Sequence, residues 1–358
     1  LLVRRGEEPA FLPSFLNTEV VDAIGAGDSF NAGCISRFVK GETLEDCQRF
    51  GNLTGAINTT AAGGTGAFAD KKTIEEIARN RFNQKVQEKL KQFQLERKAI
   101  LATNFYNYET LKGILEAASQ VQAPVMLQLT KSSIDYMGLK RAVVLARQGL
   151  EDYRLDGCIH LDHGGSVELV QRCLDAGFES VMIDASEKSM EENIETPCKV
   201  VEMARPYGAN VEAELGYVPK LGQMQDSSGF TTVEDAVRFV RATQVDALAV
   251  AIGSAHGFYK STPRLDIDRL AEIHAATDVV LVLHGSSGIP HDMVREAIRN
   301  GIAKVNLATE IKDTFMRALK QTLQNSDEID LRKVFPKATD SVVELLCDKY
   351  KMVGSATE

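Results

Sequence analysis

The strongest constraint on this chain is a rhythm that begins at residue 99, where short apolar runs rich in Val, Ile and Leu alternate with helical patterns. Apolar runs of that length suit strands buried on both faces, and their alternation with helices marks consecutive βαβ units of a parallel sheet. Eight strand candidates can be counted, at 100–105, 125–130, 158–163, 180–184, 211–216, 247–253, 280–285 and 303–308. Eight is the number that closes a (β/α)8 barrel, and about 250 residues is the usual size of one. An open, doubly wound sheet is the competing architecture. Polar residues favour the barrel, because Asn104, Thr130, Asp162 with His163, Glu214, His284 and Asn306 all fall at strand ends. Converging strand ends are what a closed barrel offers an active site. The expected fold class is therefore α/β, with a (β/α)8 TIM barrel over 99–358 whose last part, from about 328, is a helical extension.

Upstream the pattern differs. A glycine-rich turn, Gly25-Ala26-Gly27-Asp28, opens an apolar-periodic stretch, Thr43 and Asp46 suit a capping box for a second helix, and the segment closes in Ala61-Ala62-Gly63-Gly64-Thr65-Gly66. Residues 73–98 are charged and helical with few apolar anchors, which reads as a linker between a unit at 1–72 and the barrel at 99–358. The run from Val21 to Gly33 resembles the second signature of the ribokinase-like (PfkB) sugar kinases. That resemblance implies a partial ribokinase-like α/β segment in which amides at a helix start hold a transferring phosphoryl group and Asp28 is the base for the acceptor hydroxyl. Only about 70 residues carry the likeness, and the sugar-binding part would lie upstream, so no phosphotransfer is expected from this chain. It begins at Leu1 and reads as a fragment of something longer.

Composition narrows the partners. A formal net charge of −9 argues against broad attraction to nucleic acid or an anionic membrane and favours a small molecule. No apolar run approaches the roughly 20 residues of a membrane span. The six cysteines are scattered without a CxxC pair, which suits reduced thiols in the cytoplasm.

Of six histidines, three lie at or just after separate strands: His163 in His-Leu-Asp-His-Gly, His256 in Gly-Ser-Ala-His-Gly and His284 in Leu-His-Gly-Ser-Ser-Gly. Three imidazoles meeting at one point with a position left open form the ligand set of a catalytic zinc site. One such histidine alone would ordinarily be a core or surface residue. Three together, each beside glycines that let the backbone approach a ligand closely, point to metal. His160 shares a strand face with Asp162 and either supports the site or packs in the core.

These motifs resemble the class II aldolases, with matches in order at 104–109, 160–164, 211–216, 253–260, 283–289 and 304–312. The resemblance implies zinc-dependent, reversible cleavage of a ketose 1,6-bisphosphate to dihydroxyacetone phosphate and glyceraldehyde 3-phosphate. His163, His256 and His284 would hold Zn²⁺, and Glu187 would ligate it in an alternative position. Asp162 would act as acid and base at the C4 oxygen, with Glu214 beside the reacting centre. Asn104, Asn107, Thr130, Gly257, Lys260, Gly285, Ser287, Asn306 and Thr309 would contact substrate, Lys260 as the only nearby positive charge. Ser287 and Thr309 could equally be helix caps. Carbonyls around Gly257, Gly285 and Ser287 would bind Na⁺ or K⁺, and a homo-oligomer, dimer or larger, is expected. Ala308 stands where many fructose-type members carry Asp or Asn, which leaves fructose and tagatose bisphosphates both open. A carbohydrate kinase with the barrel as its partner or scaffold is the alternative reading. The stretch 217–231 reads as either an active-site loop or a plain surface loop.

Overall fold

The computed structural model describes residues 20–41, 44–70, 74, 85–216, 218, 229–259 and 263–356. The chain divides into two compact units, one of Leu1–Gln84 with Arg205–Ala209, the other of Lys85–Ala204 with Asn210–Glu358.

In the second unit eight parallel strands close on themselves in sequence order: β1 (Ile100–Asn104), β2 (Val125–Leu129), β3 (Gly157–Gly164), β4 (Ser180–Ile183), β5 (Asn210–Leu215), β6 (Ala247–Val250), β7 (Val280–Leu283) and β8 (Ile302–Leu307). β8 returns to β1 with Ile100 beside Lys304 and Ala102 beside Asn306, which completes the barrel. All eight expected strands are present. They form because both faces are covered: side chains inside the barrel meet one another, and side chains outside meet the helices, so every position of β1, β2, β5 and β8 is buried.

The reading of 73–98 as a linker needs correction. Helix Lys85–Leu95 belongs to the barrel unit, and its Val86, Leu90 and Phe93 are buried in one cluster with Ile100, Met126, Cys158, Ala247, Val280 and Ala303. Those partners lie at the N-terminal ends of their strands, so the helix closes the lower mouth of the barrel. Gln87 Nε2 donates to the Asp246 carbonyl at 3.0 Å and Gln94 Nε2 to the Gly301 carbonyl at 3.0 Å. Three apolar side chains at one-turn spacing, hidden among charges, were enough to anchor it. Residues 73 and 75–84 of that expected linker lie outside the described residues. At the other end of the chain, helix Leu331–Met352 packs on helix Tyr108–Gln120, where Gly113 allows close approach to Val342. The next turn is tied to β1 by Ala99 N donating to the Val353 carbonyl at 3.0 Å.

In the first unit, helices Ala26–Phe38 and Leu44–Asn58 lie against each other, and Thr54 Oγ1 donates to the Ser29 carbonyl at 2.7 Å. Gly25 caps the first helix with φ 80°, in close contact with Gly64, and Asp28 is exposed in the first turn. Asp22 accepts from Ile24 N at 3.0 Å and Gly63 N at 2.9 Å, fastening the two glycine-rich turns together. Among the described residues this unit contains helices and turns and no strand; Thr43 and the Asp46 side chain lie outside them. All six cysteines are free, and no described helix is long and apolar enough to cross a membrane.

Candidate active site and metal centre

The polar strand ends open into one cavity of about 540 Å³ at the C-terminal mouth of the barrel. Its shape depends on a local irregularity in β3. Pairing with β4 runs His160 to Ser180 and Leu161 to Val181, then skips to Gly164 opposite Ile183, so β3 carries one extra residue at Asp162–His163. His163 takes up the difference in the left-handed region, with φ 48°. In a regular strand consecutive side chains point to opposite faces, whereas a bulge re-aims one of them. Asp162 and His163 therefore both reach the cavity.

His163 meets His284, from the end of β7, and His256, from the loop after β6. Ring centroids are 4.8 Å apart for His163 and His284, 5.0 Å for His163 and His256, and 6.0 Å for His256 and His284. Glu214 on β5 joins them, and one ligand-capable atom of each of the four lies within 4.8 Å of all the others. The outer ring nitrogens are held: His163 Nδ1 lies 2.7 Å from Asp184 Oδ2 and His284 Nε2 lies 2.8 Å from Glu212 Oε1. The inner nitrogens, His163 Nε2 and His284 Nδ1, face each other at 3.1 Å. Glu214 Oε2 is buried with no hydrogen-bond partner and sits 3.4 Å from His284 Nδ1. Two converging nitrogens and an orphaned carboxylate oxygen form a donor set that fits a divalent cation.

Burial and near neighbours set the charge of these groups. Burial pushes Glu214 up to about 8, and burial together with the neighbouring imidazoles His284 and His163 pushes His256 down to about 3. Burial would also lower His163, but the carboxylates of Asp162, Asp184 and Glu214 outweigh it and hold this ring at about 9. For Asp162 burial favours the acid, yet His163, His284, Lys304 and the Asn104 hydrogen bond together hold it below the usual carboxylate range. Asn104 Nδ2 donates to Asp162 Oδ2 at 2.8 Å and Asn306 Nδ2 to Oδ1 at 3.3 Å, so two amides fix this carboxylate from opposite sides.

Most of the expected residues meet here. Asn104, Thr130, Asp162, His163, Glu214, His256, Gly257, Gly285, Ser287, Asn306 and Thr309 all line the cavity. Gly285 has φ 66°, and a side chain there would collide with the Ala255 carbonyl, so the loop tolerates only glycine. Its carbonyl, expected to bind a monovalent cation, accepts a hydrogen bond from the Tyr259 hydroxyl at 2.8 Å. Thr130 caps helix Lys131–Met137 while lining the cavity, so one side chain serves both ends.

Three other expected residues stand apart from this group. Asn107 is absent from the cavity wall; its side chain caps helix Tyr108–Gln120, accepting from Thr110 N at 3.0 Å. Glu187 lies exposed on the wall and outside the four-residue cluster, which holds Glu214 as its carboxylate. Lys260 is outside the described residues, as is most of 217–231, and the positive charge on the described wall is Lys312, with Nζ 5.3 Å from the centre of the Tyr106 ring. Sequence reasoning also missed Asp184, Glu212 and Lys304. Their signal was available: an ionisable side chain inside an apolar parallel strand or at its end has to meet a partner or a ligand.

Comparison with known proteins places these observations. Residues 84–358 match the family model for class-II fructose-bisphosphate aldolase, and residues 1–71 match that of the pfkB family of carbohydrate kinases. Among solved structures, the YdjI aldolase of Escherichia coli K12 is 31% identical with a TM-score of 0.69, over 76% of this chain and 97% of the other. A putative fructose-1,6-bisphosphate aldolase from Coccidioides immitis is 27% identical with a TM-score of 0.70, again over 76% and 97%. Fructose-bisphosphate aldolase from Campylobacter jejuni, 20% identical over 76% and 95%, shares the fold at a TM-score of 0.66. With the family model spanning three quarters of its length and a closed barrel whose strand ends carry the matched motifs, this chain belongs to the class II fructose-bisphosphate aldolase family and is a lyase.

Proposed function

We propose that the barrel performs reversible, zinc-dependent aldol cleavage of a ketose 1,6-bisphosphate, fructose or its C4 epimer tagatose, yielding dihydroxyacetone phosphate and glyceraldehyde 3-phosphate. The observation that carries this reading is the convergence of three imidazoles beside a buried, doubly hydrogen-bonded aspartate in one cavity.

His163, His256 and His284 would hold the Zn²⁺, with Glu214 beside them. Bound there, the ion supplies Lewis-acid stabilisation of the negative charge that develops on the ketone oxygen when the adjacent carbon loses a proton. Asp162 takes the proton of the C4 hydroxyl in cleavage and returns it in condensation; Asn104 and Asn306 hold its carboxylate on target, and its depressed pKa keeps it ready to accept. Glu214, buried with an unpartnered carboxylate oxygen 3.4 Å from His284 Nδ1, is suited to move a proton at the substrate carbon beside the ketone. Anion binding falls to the loops after β7 and β8. Gly285 and Ser287 bring backbone close to the cavity, and Thr309 opens a 16-residue helix whose N-terminal amides suit a phosphate. Lys312, one turn further along that helix, places positive charge on the wall toward Tyr106, where a second phosphate would need it. Ala308 adds only a methyl group to the wall, so discrimination at C4 rests on other groups.

The deciding assay is triose phosphate release from fructose and tagatose bisphosphates with metal content quantified. Activity on one or both that EDTA abolishes and Zn²⁺ restores is the expected result; activity surviving complete metal removal rejects the reading. A carbohydrate kinase is the second reading, supported by the Gly25–Asp28 turn at a helix start and by the match over residues 1–71. ATP turnover with a panel of sugars tests it. The expected assembly, a dimer or larger, is measurable by light scattering.

A further inference from the structure

Beneath the imidazole cluster, inside the barrel, sits a charged pair that aldol chemistry does not itself require. Lys304 on β8 and Glu212 on β5 are fully buried, and Lys304 Nζ donates to Glu212 Oε2 at 2.8 Å. Desolvating two charges costs several kcal/mol per ion, roughly, and apolar side chains of similar volume are often as stable in such a place. The same barrel also has a buried apolar cluster that includes Ala102, Met126, Ala249 and Val282, which shows that alternative. Stability is a poor reason to keep the pair.

Its remaining contacts run toward the cluster. Glu212 Oε1 lies 2.8 Å from His284 Nε2, while Nδ1 of the same ring faces the cluster. Asn306 Nδ2 also lies 3.1 Å from Nε2, but the carboxylate, paired with lysine and an acceptor only, is the nearer and charged partner, so it fixes the ring proton on Nε2 and leaves the Nδ1 lone pair turned inward. Lys304 holds the other oxygen of that carboxylate and prevents it from swinging away. The ammonium is itself tethered: His160 Nε2 lies 3.4 Å from Nζ, and the Gln128 amide oxygen, in the orientation that satisfies its neighbours, lies at 3.2 Å. His160 is anchored through Nδ1 to Ser180 Oγ at 2.7 Å, and that oxygen also accepts from Asn210 Nδ2 at 3.1 Å. Each of these side chains is buried, so the tether spans the barrel from β8 through β5 to β7.

We propose that Lys304 is a positioning residue for the metal centre: through Glu212 it locks His284 in the tautomer and orientation that present Nδ1 to a divalent ion. The inference rests on the reading of His163, His256 and His284 as ligands. The test replaces Lys304→Met and measures three things: Zn²⁺ affinity by competition with a chromophoric chelator, the visible spectrum of the Co²⁺-loaded protein, and the far-ultraviolet circular dichroism of the metal-free protein. The expected variant is folded, binds Zn²⁺ about 10- to 100-fold more weakly, and shows displaced Co²⁺ bands. The double variant Glu212→Gln with Lys304→Met removes both charges. It should recover melting temperature without recovering affinity, because an amide can turn its NH₂ toward the ring as readily as its oxygen. Affinity and Co²⁺ bands close to those of the wild type in Lys304→Met, or full recovery of affinity in the double variant, overturn the proposal. Should Lys304→Met fail to fold, Glu212→Gln alone is measured for Zn²⁺ affinity and Co²⁺ bands: weaker binding with displaced bands supports the proposal, and wild-type values for both overturn it. A wild-type protein with no measurable affinity for either metal removes the ligand reading itself, and this inference with it.

Discussion

Asp162 and His163 are adjacent in sequence and face the same cavity, yet their replacements should differ in metal content. Asp162→Ala removes the acid–base group and leaves the imidazoles in place, so Zn²⁺ content should stay near wild type while kcat falls about 100-fold or more. His163→Ala should lose both metal and activity. A metal-free Asp162→Ala protein would move the aspartate from proton transfer to ligation. Asp184→Asn replaces the carboxylate that fixes His163 Nδ1 with an amide whose oxygen the Ser186 donors hold, turning its NH₂ to the ring, and metal affinity should fall about 10- to 100-fold as measured by chelator competition. The legibility of such residues followed their chemistry. Histidines flanked by glycine stood out because few structural roles need that combination. Asn107 did not separate from the site residues, because a cap and a substrate contact call for the same short polar side chain a few residues from a strand end. Asp184, Glu212 and Lys304 stayed hidden because their role depends on which strands become neighbours across the barrel, and pairing partners are not written in any one strand.

At the scale of elements, two features carry predictions. Helix Lys85–Leu95 seals the lower mouth of the barrel, and Leu90 is fully buried there. Leu90→Ala should destabilise the barrel unit by about 2–5 kcal/mol, read as a lower urea midpoint at unchanged slope. A loss under about 0.5 kcal/mol would restore the linker reading. The charges along this helix concealed its role: with about one apolar residue per turn it reads as solvated, and only the presence of a barrel end to cover reveals what the three face. The bulge in β3 is the second feature. A side chain at Gly164 would collide with the Met182 carbonyl, so Gly164→Ala should shift the strand pairing that holds His163 in its left-handed conformation. Metal affinity should fall more than the folding free energy predicts. The strands were legible from Val, Ile and Leu alone, whereas the bulge was not, because an inserted residue is defined only relative to the strand beside it.

For the whole molecule, the aldolase family match begins at residue 84 and the barrel unit at Lys85, so catalysis should belong to the second unit. A chain shortened to 85–358 is expected to retain kcat within about twofold of the full chain under the same zinc loading, a change too small to represent a lost catalytic contact. A much larger loss would assign the first unit a part in the reaction.

The four candidate metal ligands arise from β3, β5, the loop after β6 and the end of β7, so the shortest segment that contains them all still leaves out β8, the strand that closes the circle onto β1. Ligands that far apart in sequence cannot gather before the long-range pairings have formed, and such pairings are the slow part of folding. Uptake of Co²⁺ during refolding should consequently lag behind helix formation and coincide with the last structural phase. Its colour would then serve as a clock for the moment at which the sheet meets itself.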